Sequence, residues 1–559
     1  MNTITAKYGQ SLKKVWPVLA VLTIMVVVIA AIRWSMAHPY AIFWDEASYL
    51  NDVQIDAQRL RTGHLLKLGG RILIKNLGRP PAYRLIALPF VALFGFNTTG
   101  VRLTSLACFV LSALFVYLAT RRISSSTAGV LAALIFVLAP EVVSASMFFS
   151  TDAPVYLATS AMLYYAFASW DGAARTSNWL GLGLAVGFGF LTKTSFLLIG
   201  LPVLVFCFAA NLWNPPEGFS LAPYKKAGLL AFLIAAPWWL LSFRGALAYA
   251  RYASRDFVRS SLGPPSFATW AKWFNTVLQC LIGHGLSLLI VFILGTFLVT
   301  ILLKREAAFG RLQLLALGAC ACAALPLVAA QLSGTNHLLR HITPAVVPLA
   351  VSVGLVADRS GWTRSNLALS VSVVLFCAQL SLLLVPVVHP NTKPVYPGFL
   401  NGALPWRTMV RFEQWDWRPV QDLADRCGYQ APAISYLGNG RAFNPPQIQY
   451  PWVARATRTR AAKLDLPDVT WLWRYEDGSL DWQKLTAAAA MSDVVITAPR
   501  YPGEVREDLD NQYNAEFARR LSEDPRFQGP FRFDMGRFEP VDVEVFVKTD
   551  HVCRSGGLQ

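Results

Sequence analysis

The chain is short of charge. Of its 559 residues only 15% are Asp, Glu, Lys or Arg, while 54% are hydrophobic and the mean hydropathy is +0.41. Soluble domains carry about 25% charged residues. A shortage sustained over this length excludes a simple soluble enzyme, a disordered chain and a fibrous repeat. Negative charge is scarcest: residues 1–388 hold 29 Lys and Arg against 11 Asp and Glu, whereas residues 389–559 hold 21 against 22. The tail has no G-x-G-x-x-G fingerprint, which argues against nucleotide binding. Nor do the cysteines have metal-ligand spacing with histidines. Cys108, Cys207, Cys280, Cys320, Cys322 and Cys377 sit in apolar runs as small hydrophobes. His64, His284, His337, His341 and His389 are scattered. No metal or other cofactor is expected to be required, and no nucleic-acid partner.

What is present is a series of long apolar runs. A helix crossing a bilayer needs about 20 mostly apolar residues. Candidates lie near 15–34, 101–120, 127–147, 153–170, 178–192, 195–212, 227–243, 277–303, 312–332, 341–357 and 366–388, eleven in all. Residues 82–96 form a shorter apolar stretch, broken by Pro89 and framed by Pro80, Pro81 and Gly95. It reads as a segment lying at the interface or dipping partly in. Lys13 and Lys14 precede the first run and Ser35-Met36-Ala37 resembles a cleavage site, but the run is long for a signal-peptide core. A retained anchor is expected.

Positive charge in short loops assigns sides. Lys13/Lys14, Arg121/Arg122, Arg175, Lys225/Lys226, Lys304/Arg305/Arg311 and Arg359/Arg364 fall on one side, the cytoplasm. Eleven crossings then place residues 389–559 on the opposite side, the periplasm of a bacterium. Two long outer loops, about 35–100 and 244–276, are also basic, with Arg59, Arg61, Lys67, Arg71, Lys75, Arg79 and Arg84, then Arg244, Arg251, Arg255, Arg259 and Lys272. Topology does not call for these cations. They suit a phosphate ligand or anionic headgroups.

The few acids of the membrane portion are informative for the same reason. Asp45, Glu46, Asp52, Asp56, Asp152 and Asp256 fall on the outer face. Asp45 and Glu46 follow the first span in FWDEASYL, and Asp152 sits in SMFFSTDAPVY at the turn between the third and fourth spans. Ionisable groups at that depth usually face a cavity or a partner. Ser150-Thr151-Asp152 before Ala-Pro also fits a helix start, and the two roles are compatible. Glu141, beside Pro140, reads as a satisfied buried acid without a role.

The domains expected are thus 1–388, a helical membrane domain, and 389–559, a soluble α/β domain. Residues 389–405 are rich in Pro, Gly and Asn and read as a linker. Runs at 433–438, 469–475, 493–499, 531–536 and 541–548 read as strands, and helical patterns lie near 418–427, 481–492 and 504–523. Cys427 and Cys553 can form a disulfide if the tail faces an oxidising compartment. The tail serves either acceptor recognition or as a structural cap.

Several elements occur in an order that carries a resemblance. They are WDEASY (44–49), GRPPAYRLIALPFVALFG (78–95), Val101-Arg102-Leu103 opening a span, Thr-Asp-x-Pro (151–154), FLTKTS (190–195) and LLRHITPAVVPLA (338–350). The chain resembles the GT-C membrane glycosyltransferases, in the branch of protein O-mannosyltransferases and lipid A aminoarabinose transferases. In that branch an extracytoplasmic domain also follows the last span. Departures are Arg79 where the aminoarabinose transferases usually have Lys, and Arg340-His341 where they often have Arg-Tyr. The acidic residue often found before the basic-Pro-Pro element is missing.

The resemblance implies a sugar donor on a polyprenyl phosphate and transfer of a single sugar, by inverting displacement, to an acceptor hydroxyl or phosphate on the extracytoplasmic face. A phosphate leaving group needs no strong acid but needs cations for the charge that builds on its bridging oxygen. Arg79 is the first choice by motif position, supported by Lys193, Arg255, Arg259, Arg340 and His341. An acceptor hydroxyl needs a carboxylate to take its proton. Asp45 is the expected base, with Glu46 orienting it and Asp152 as a second base or a positioning group. Tyr49 and Tyr83 would pack on the sugar or bond the phosphate, or else belong to an interfacial aromatic belt. The acceptor is expected to be a lipid or glycan of the cell envelope, such as lipopolysaccharide, more than a protein. Alternatives are a flippase for a lipid-linked sugar, an oligosaccharyltransferase or O-antigen ligase using a pyrophosphate donor, and an inactive scaffold.

Overall fold

The computed structural model describes the chain apart from residues 1, 42–43, 75–77, 171–175, 214–221, 252–270, 272, 276, 305–308, 334–338, 389–414, 439, 441, 459–463, 473–479, 502–512, 537–540, 551–552 and 554–559. Arg255 and Arg259, the predicted linker 389–405 and most of the second basic loop lie outside the described residues.

The helices run α1 (Asn2–Ala37), α2 (Trp44–Arg61), α3 (Leu65–Ile74), α4 (Ala82–Phe94), α5 (Thr98–Ile123), α6 (Ser126–Leu138), α7 (Pro140–Met147), α8 (Asp152–Ser169), α9 (Thr176–Phe190), α10 (Leu197–Trp213) and α11 (Ala222–Arg251). After a π-turn at Val277–Ile282 come α12 (His284–Lys304), α13 (Arg311–Ser333), α14 (Val346–Arg359) and α15 (Asn366–Val388). The C-terminal part contains α16 (Arg418–Arg426), β1 (Ala433–Tyr436), α17 (Pro445–Arg458), β2 (Asp468–Trp471), α18 (Trp482–Ala490), β3 (Val494–Thr497), α19 (Asn514–Glu523), β4 (Phe527–Asp534) and β5 (Asp542–Lys548). A mainly helical membrane protein with a small α/β part is thus the architecture.

Each of the eleven predicted spans carries a helix, but not every helix has the length of a crossing. Among the described residues seven are long and apolar enough to cross a membrane, or eight if α6 and α7, bent by 62°, count as one. The other three, α8, α9 and α14, have 18, 15 and 14 residues. At about 1.5 Å per residue, 14 or 15 residues fall short of a hydrocarbon core of about 30 Å.

The α6–α7 bend has a local cause. Ala139 precedes Pro140 and takes an extended conformation (φ −68°, ψ 118°), because a residue before proline avoids the helical region. Pro140 then serves as the first residue of α7. At the other end of α6, Ser125 caps the Ala128 N–H. Ser124, Ser125 and Thr363 donate to the Asp358 carboxylate at 2.7, 2.7 and 2.6 Å, tying the α5–α6 turn to the α14–α15 turn.

Two loop expectations need correction. The first outer loop, 35–100, is largely helical, being made of α2, α3 and α4. The second was expected to begin at 244, yet α11 continues through Arg251. Small residues let α11 lie close to α9. A Cβ on Gly183 would meet the Ala227 carbonyl oxygen at 2.7 Å, and one on Gly187 would meet the Ala231 Cα at 3.0 Å. Small residues one turn apart admit this approach between membrane helices.

The chain divides into two compact units. One comprises Met1–Ser35, Gly69–Ile86 and Arg102–Val410; the other comprises Met36–Leu68, Ala87–Val101 and Arg411–Gln559. In the second, the strands order as β2-β1-β3-β5-β4, with β1 parallel to β2 and β3, and β5 antiparallel to β3 and β4. Alternation along the strands sends residues to opposite faces. Val494, Ile496 and Val545 join Trp417, Phe443 and Trp452 in one core, while Val495 and Phe546 join Leu485, Phe517 and Leu521 in another. A disulfide joins Cys427 to Cys553.

The second unit also holds α2 against α17. Asn51 donates to the Pro446 carbonyl at 3.0 Å, Gln447 to the Ala41 carbonyl at 3.0 Å, and Arg61 to the Thr457 carbonyl at 3.0 Å. Asp416 accepts from Arg418 and, at 3.1 Å, from the Tyr40 hydroxyl. Burial pushes the Asp416 carboxyl up, but the hydrogen bonds from Arg418 and Tyr40 outweigh it and hold it below its ordinary value.

Candidate active site

The helical unit draws three of the sequence motifs to one place. The turn Gly78–Arg79–Pro80–Pro81 has no N–H to donate at its two prolines, so the first amide after them, that of Ala82, is the one available. It donates to the Leu191 carbonyl at 2.8 Å. That bond joins the basic-Pro-Pro element to the Leu-Thr-Lys turn, with Arg79 three residues from one end and Lys193 two residues from the other. The next residue, Tyr83, is fully buried, its ring centroid 6.0 Å from that of Phe149, just ahead of the Thr-Asp-x-Pro turn.

Lys193 closes the arrangement. Its Nζ lies 2.7 Å from Oδ1 of Asp152, with the two side chains 19% and 3% accessible. Asp152 begins α8, as the helix-start pattern predicts, and its N–H donates to the Ser150 hydroxyl at 3.1 Å. Its carboxylate, however, is engaged by Lys193 instead of capping the helix. The pair is neutral as a whole; the Asp152 carboxylate fixes the position of the Lys193 ammonium, which keeps part of its surface accessible.

Glu141 and Arg340 extend this polar region. Glu141, in the first turn of α7, is only half-buried and lies within electrostatic reach of both Asp152 and Arg340. Arg340 and His341 form a 3-10 turn, Leu339–His341, that packs against α7. The Tyr156 hydroxyl, fully buried on α8, faces Thr343 of the following turn. The sequence gives Glu141 no role, but it neighbours two of the predicted site residues.

Helix α11 supplies what the motifs do not reveal. The Trp239 indole N–H donates to the Phe190 carbonyl at 3.0 Å, and the Ser242 hydroxyl to the Leu73 carbonyl at 3.4 Å. Ala246 joins Ala82, Leu191 and Trp238 in an apolar cluster. Tyr249 meets Arg79: the guanidinium lies 3.4 Å from its hydroxyl and 5.7 Å from its ring centroid. Spacings of three, four and three residues place positions 239, 242, 246 and 249 on one helical face. That periodicity was present in the sequence, hidden by the assignment of 244 onward to a loop.

Asp45, Glu46 and Tyr49 belong to the second unit. Steps of four, three and four residues put Asp45, Tyr49, Asp52 and Asp56 on one face of α2. Tyr49, Asp52 and Asp56 are buried, as is Glu46 on the adjoining face, whereas Asp45 keeps part of its surface exposed. Among the described residues no three His, Cys, Asp or Glu side chains group as a metal site.

The chain is similar in sequence to known glycosyltransferases over the stretch that holds these turns, and similar in fold to one of them over nearly its whole length. The family described as Dolichyl-phosphate-mannose-protein mannosyltransferase matches residues 78–241, the stretch holding Arg79, Asp152 and Lys193. Undecaprenyl phosphate-alpha-4-amino-4-deoxy-L-arabinose arabinosyl transferase 2 of Pseudomonas fluorescens is 29% identical over 337 residues, 58% of this chain and 54% of that protein. The chain therefore spans about half the length of this curated relative. Two crystal structures of ArnT from Cupriavidus metallidurans are similar over nearly the whole of both chains. In the apo state the TM-score is 0.59 at 15% identity, over 98% of this chain and 100% of the other. Bound to undecaprenyl phosphate it is 0.56 at 16% identity, over 97% and 99%. At such identities the likeness is one of fold.

Proposed function

We propose that this protein is an integral membrane glycosyltransferase of the bacterial inner membrane. It moves a single sugar from a polyprenyl-phosphate donor to an acceptor hydroxyl or phosphate on a lipid or glycan at the periplasmic face, with its N-terminus in the cytoplasm and residues 389–559 outside. The observation that supports this reading is the bond from Ala82 to Leu191, which joins the turn that carries Arg79 to the turn that carries Lys193, itself paired with Asp152. Cations held in a site partly screened from water stabilise charge on a departing phosphate far better than mobile cations in bulk solvent.

In this mechanism Arg79 binds the donor phosphate through its planar fork and Lys193 supplies a point charge. Arg340 and His341 add positive charge from the neighbouring turn, and Arg255 and Arg259 add it from the second loop. Asp152, engaged by Lys193, orients that lysine. Asp45 takes the acceptor proton; it is the partly accessible member of the α2 stripe, which suits it to meet a second substrate. Glu46 and Tyr49 support Asp45, and Tyr83, buried against Phe149, backs the sugar site from behind. The acceptor oxygen attacks C1 opposite the phosphate, the C1–O bond to phosphate breaks with its electron pair on the phosphate, and the configuration inverts. A pentose carrying an amine is the first donor to try, since the relative in Pseudomonas fluorescens bears that substrate in its name.

The test is transfer from a panel of synthetic polyprenyl-phosphate sugars by the protein in nanodiscs, with membrane extract supplying acceptors. Transfer that disappears in Asp45→Asn and Arg79→Ala supports the assignment. Equal transfer by Asp45→Asn removes Asp45 as base, and no transfer from any donor removes the enzyme reading.

A further inference from the structure

We propose that Tyr249 is a positioning residue for Arg79, and that α11 presets the phosphate-binding guanidinium before the donor arrives. This rests on the reading of Arg79 as the donor-phosphate cation. Arginine has many rotamers, and freezing them opposes binding. A guanidinium already held at an aromatic face and a hydroxyl has less freedom left to lose. The contact to the Tyr249 hydroxyl, 3.4 Å, is at the long limit of a hydrogen bond, and the ring centroid at 5.7 Å is within cation–π range. The ring face therefore contributes more than the hydroxyl does.

Gly78 makes this approach possible. A Cβ on Gly78 would fall 2.9 Å from both Cβ and Cγ of Tyr249, closer than carbon atoms pack. The turn lies flush against the root of the tyrosine side chain, and the next residue carries the guanidinium back to that side chain. The same face of α11 holds the Leu-Thr-Lys turn through Trp239 and the end of α3 through Ser242. Arg79 and the turn bearing Lys193 are thus registered by one face of a single helix. Tyr249 is 38% exposed and Arg79 is half-buried, so the pair borders accessible space.

The experiment is a double-mutant cycle on full-length protein in nanodiscs, reading kcat and KM for a polyprenyl-phosphate sugar and the Kd for polyprenyl phosphate alone. Tyr249→Leu should reduce kcat/KM and weaken phosphate binding by roughly 5- to 30-fold. Tyr249→Phe, which keeps the ring, should cost less than about 3-fold. In an Arg79→Ala background Tyr249→Leu should change neither quantity further. An equal loss from Tyr249→Leu with and without Arg79 would overturn the proposal, because it would mean the tyrosine acts on structure alone. Where the Arg79→Ala protein is too slow to assay, the binding cycle decides. If the wild type binds polyprenyl phosphate but transfers no sugar, the functional reading fails while the coupling of Tyr249 to Arg79 is still measured.

Discussion

Replacing Asp152 by Asn removes the carboxylate that Lys193 contacts at 2.7 Å, in a pair whose side chains are 3% and 19% accessible. Deleting one partner of a buried ion pair typically costs about 3–5 kcal/mol, mostly from the charge left behind. Because a fifth of the Lys193 side chain reaches solvent, the lower end applies, about 3 kcal/mol. Lys193→Met should cost a similar amount by stranding Asp152. Removing both charges should cost much less than the sum of the two, leaving a coupling of about 2–3 kcal/mol. Unfolding by sodium dodecyl sulfate in mixed micelles, followed by far-ultraviolet circular dichroism, measures all four proteins. The double variant should be about as stable as either single variant and unable to transfer sugar. Strictly additive destabilisation would refute the view that the pair is an interacting unit.

Other perturbations test other parts of the account. Cys427→Ser opens a disulfide whose cysteines are 126 residues apart, and chain entropy gives a loss of about 4–5 kcal/mol; denaturant titration of the C-terminal part, with and without reductant, should show the wild type falling to the variant only when reduced. The depressed Asp416 carboxyl adds stability that is complete above the ordinary value of 3.8 and is lost as the pH falls through its lower folded-state value. Melting temperatures across acid pH should therefore fall less steeply for Asp416→Asn than for the wild type. Gly187→Leu places a branched side chain where even a Cβ would meet the Cβ of Ile234 at 2.9 Å and the Cα of Ala231 at 3.0 Å; it should separate α9 from α11, lower the yield of folded protein and weaken donor binding, and Gly187→Ala, which adds that Cβ alone, should do the same to a smaller extent.

Much of this fold was legible because its signals are local. Apolar runs located a helix at all eleven predicted positions, and alternating residues located the five strands. Motif order points to Arg79, Asp152 and Lys193; the backbone bond from Ala82 to Leu191 joins the turns of Arg79 and Lys193, and an ion pair joins Lys193 to Asp152. What escaped depends on tertiary structure or on ambiguous local signals. Helix α17 begins with Pro445 and Pro446 and contains Pro451, so its start resembles a loop. Prolines are tolerated in a first helical turn, and burial of Ile448, Trp452 and Val453 favours the helix. The contacts of α2 with α17 join residues nearly 400 positions apart, such as Asn51 and Pro446, and no local pattern predicts them. Tyr249 was missed because basic residues after 243 suggested a loop, whereas packing of α11 through Trp238 and Ala246 extends the helix. The Cys427–Cys553 pairing depended on compartment and proximity, and of these only proximity is a property of the fold.

The reaction proposed is inverting transfer of one sugar from a lipid monophosphate at a site that includes Arg79 and Lys193. Its most direct test is a single turnover with a polyprenyl-phosphate sugar labelled at C1, in which released lipid and product configuration are both determined. One polyprenyl monophosphate should be released per sugar transferred, the product should have the inverted anomeric configuration, and both signals should be lost in Arg79→Ala. Retained configuration, or undiminished turnover in Arg79→Ala, would contradict it.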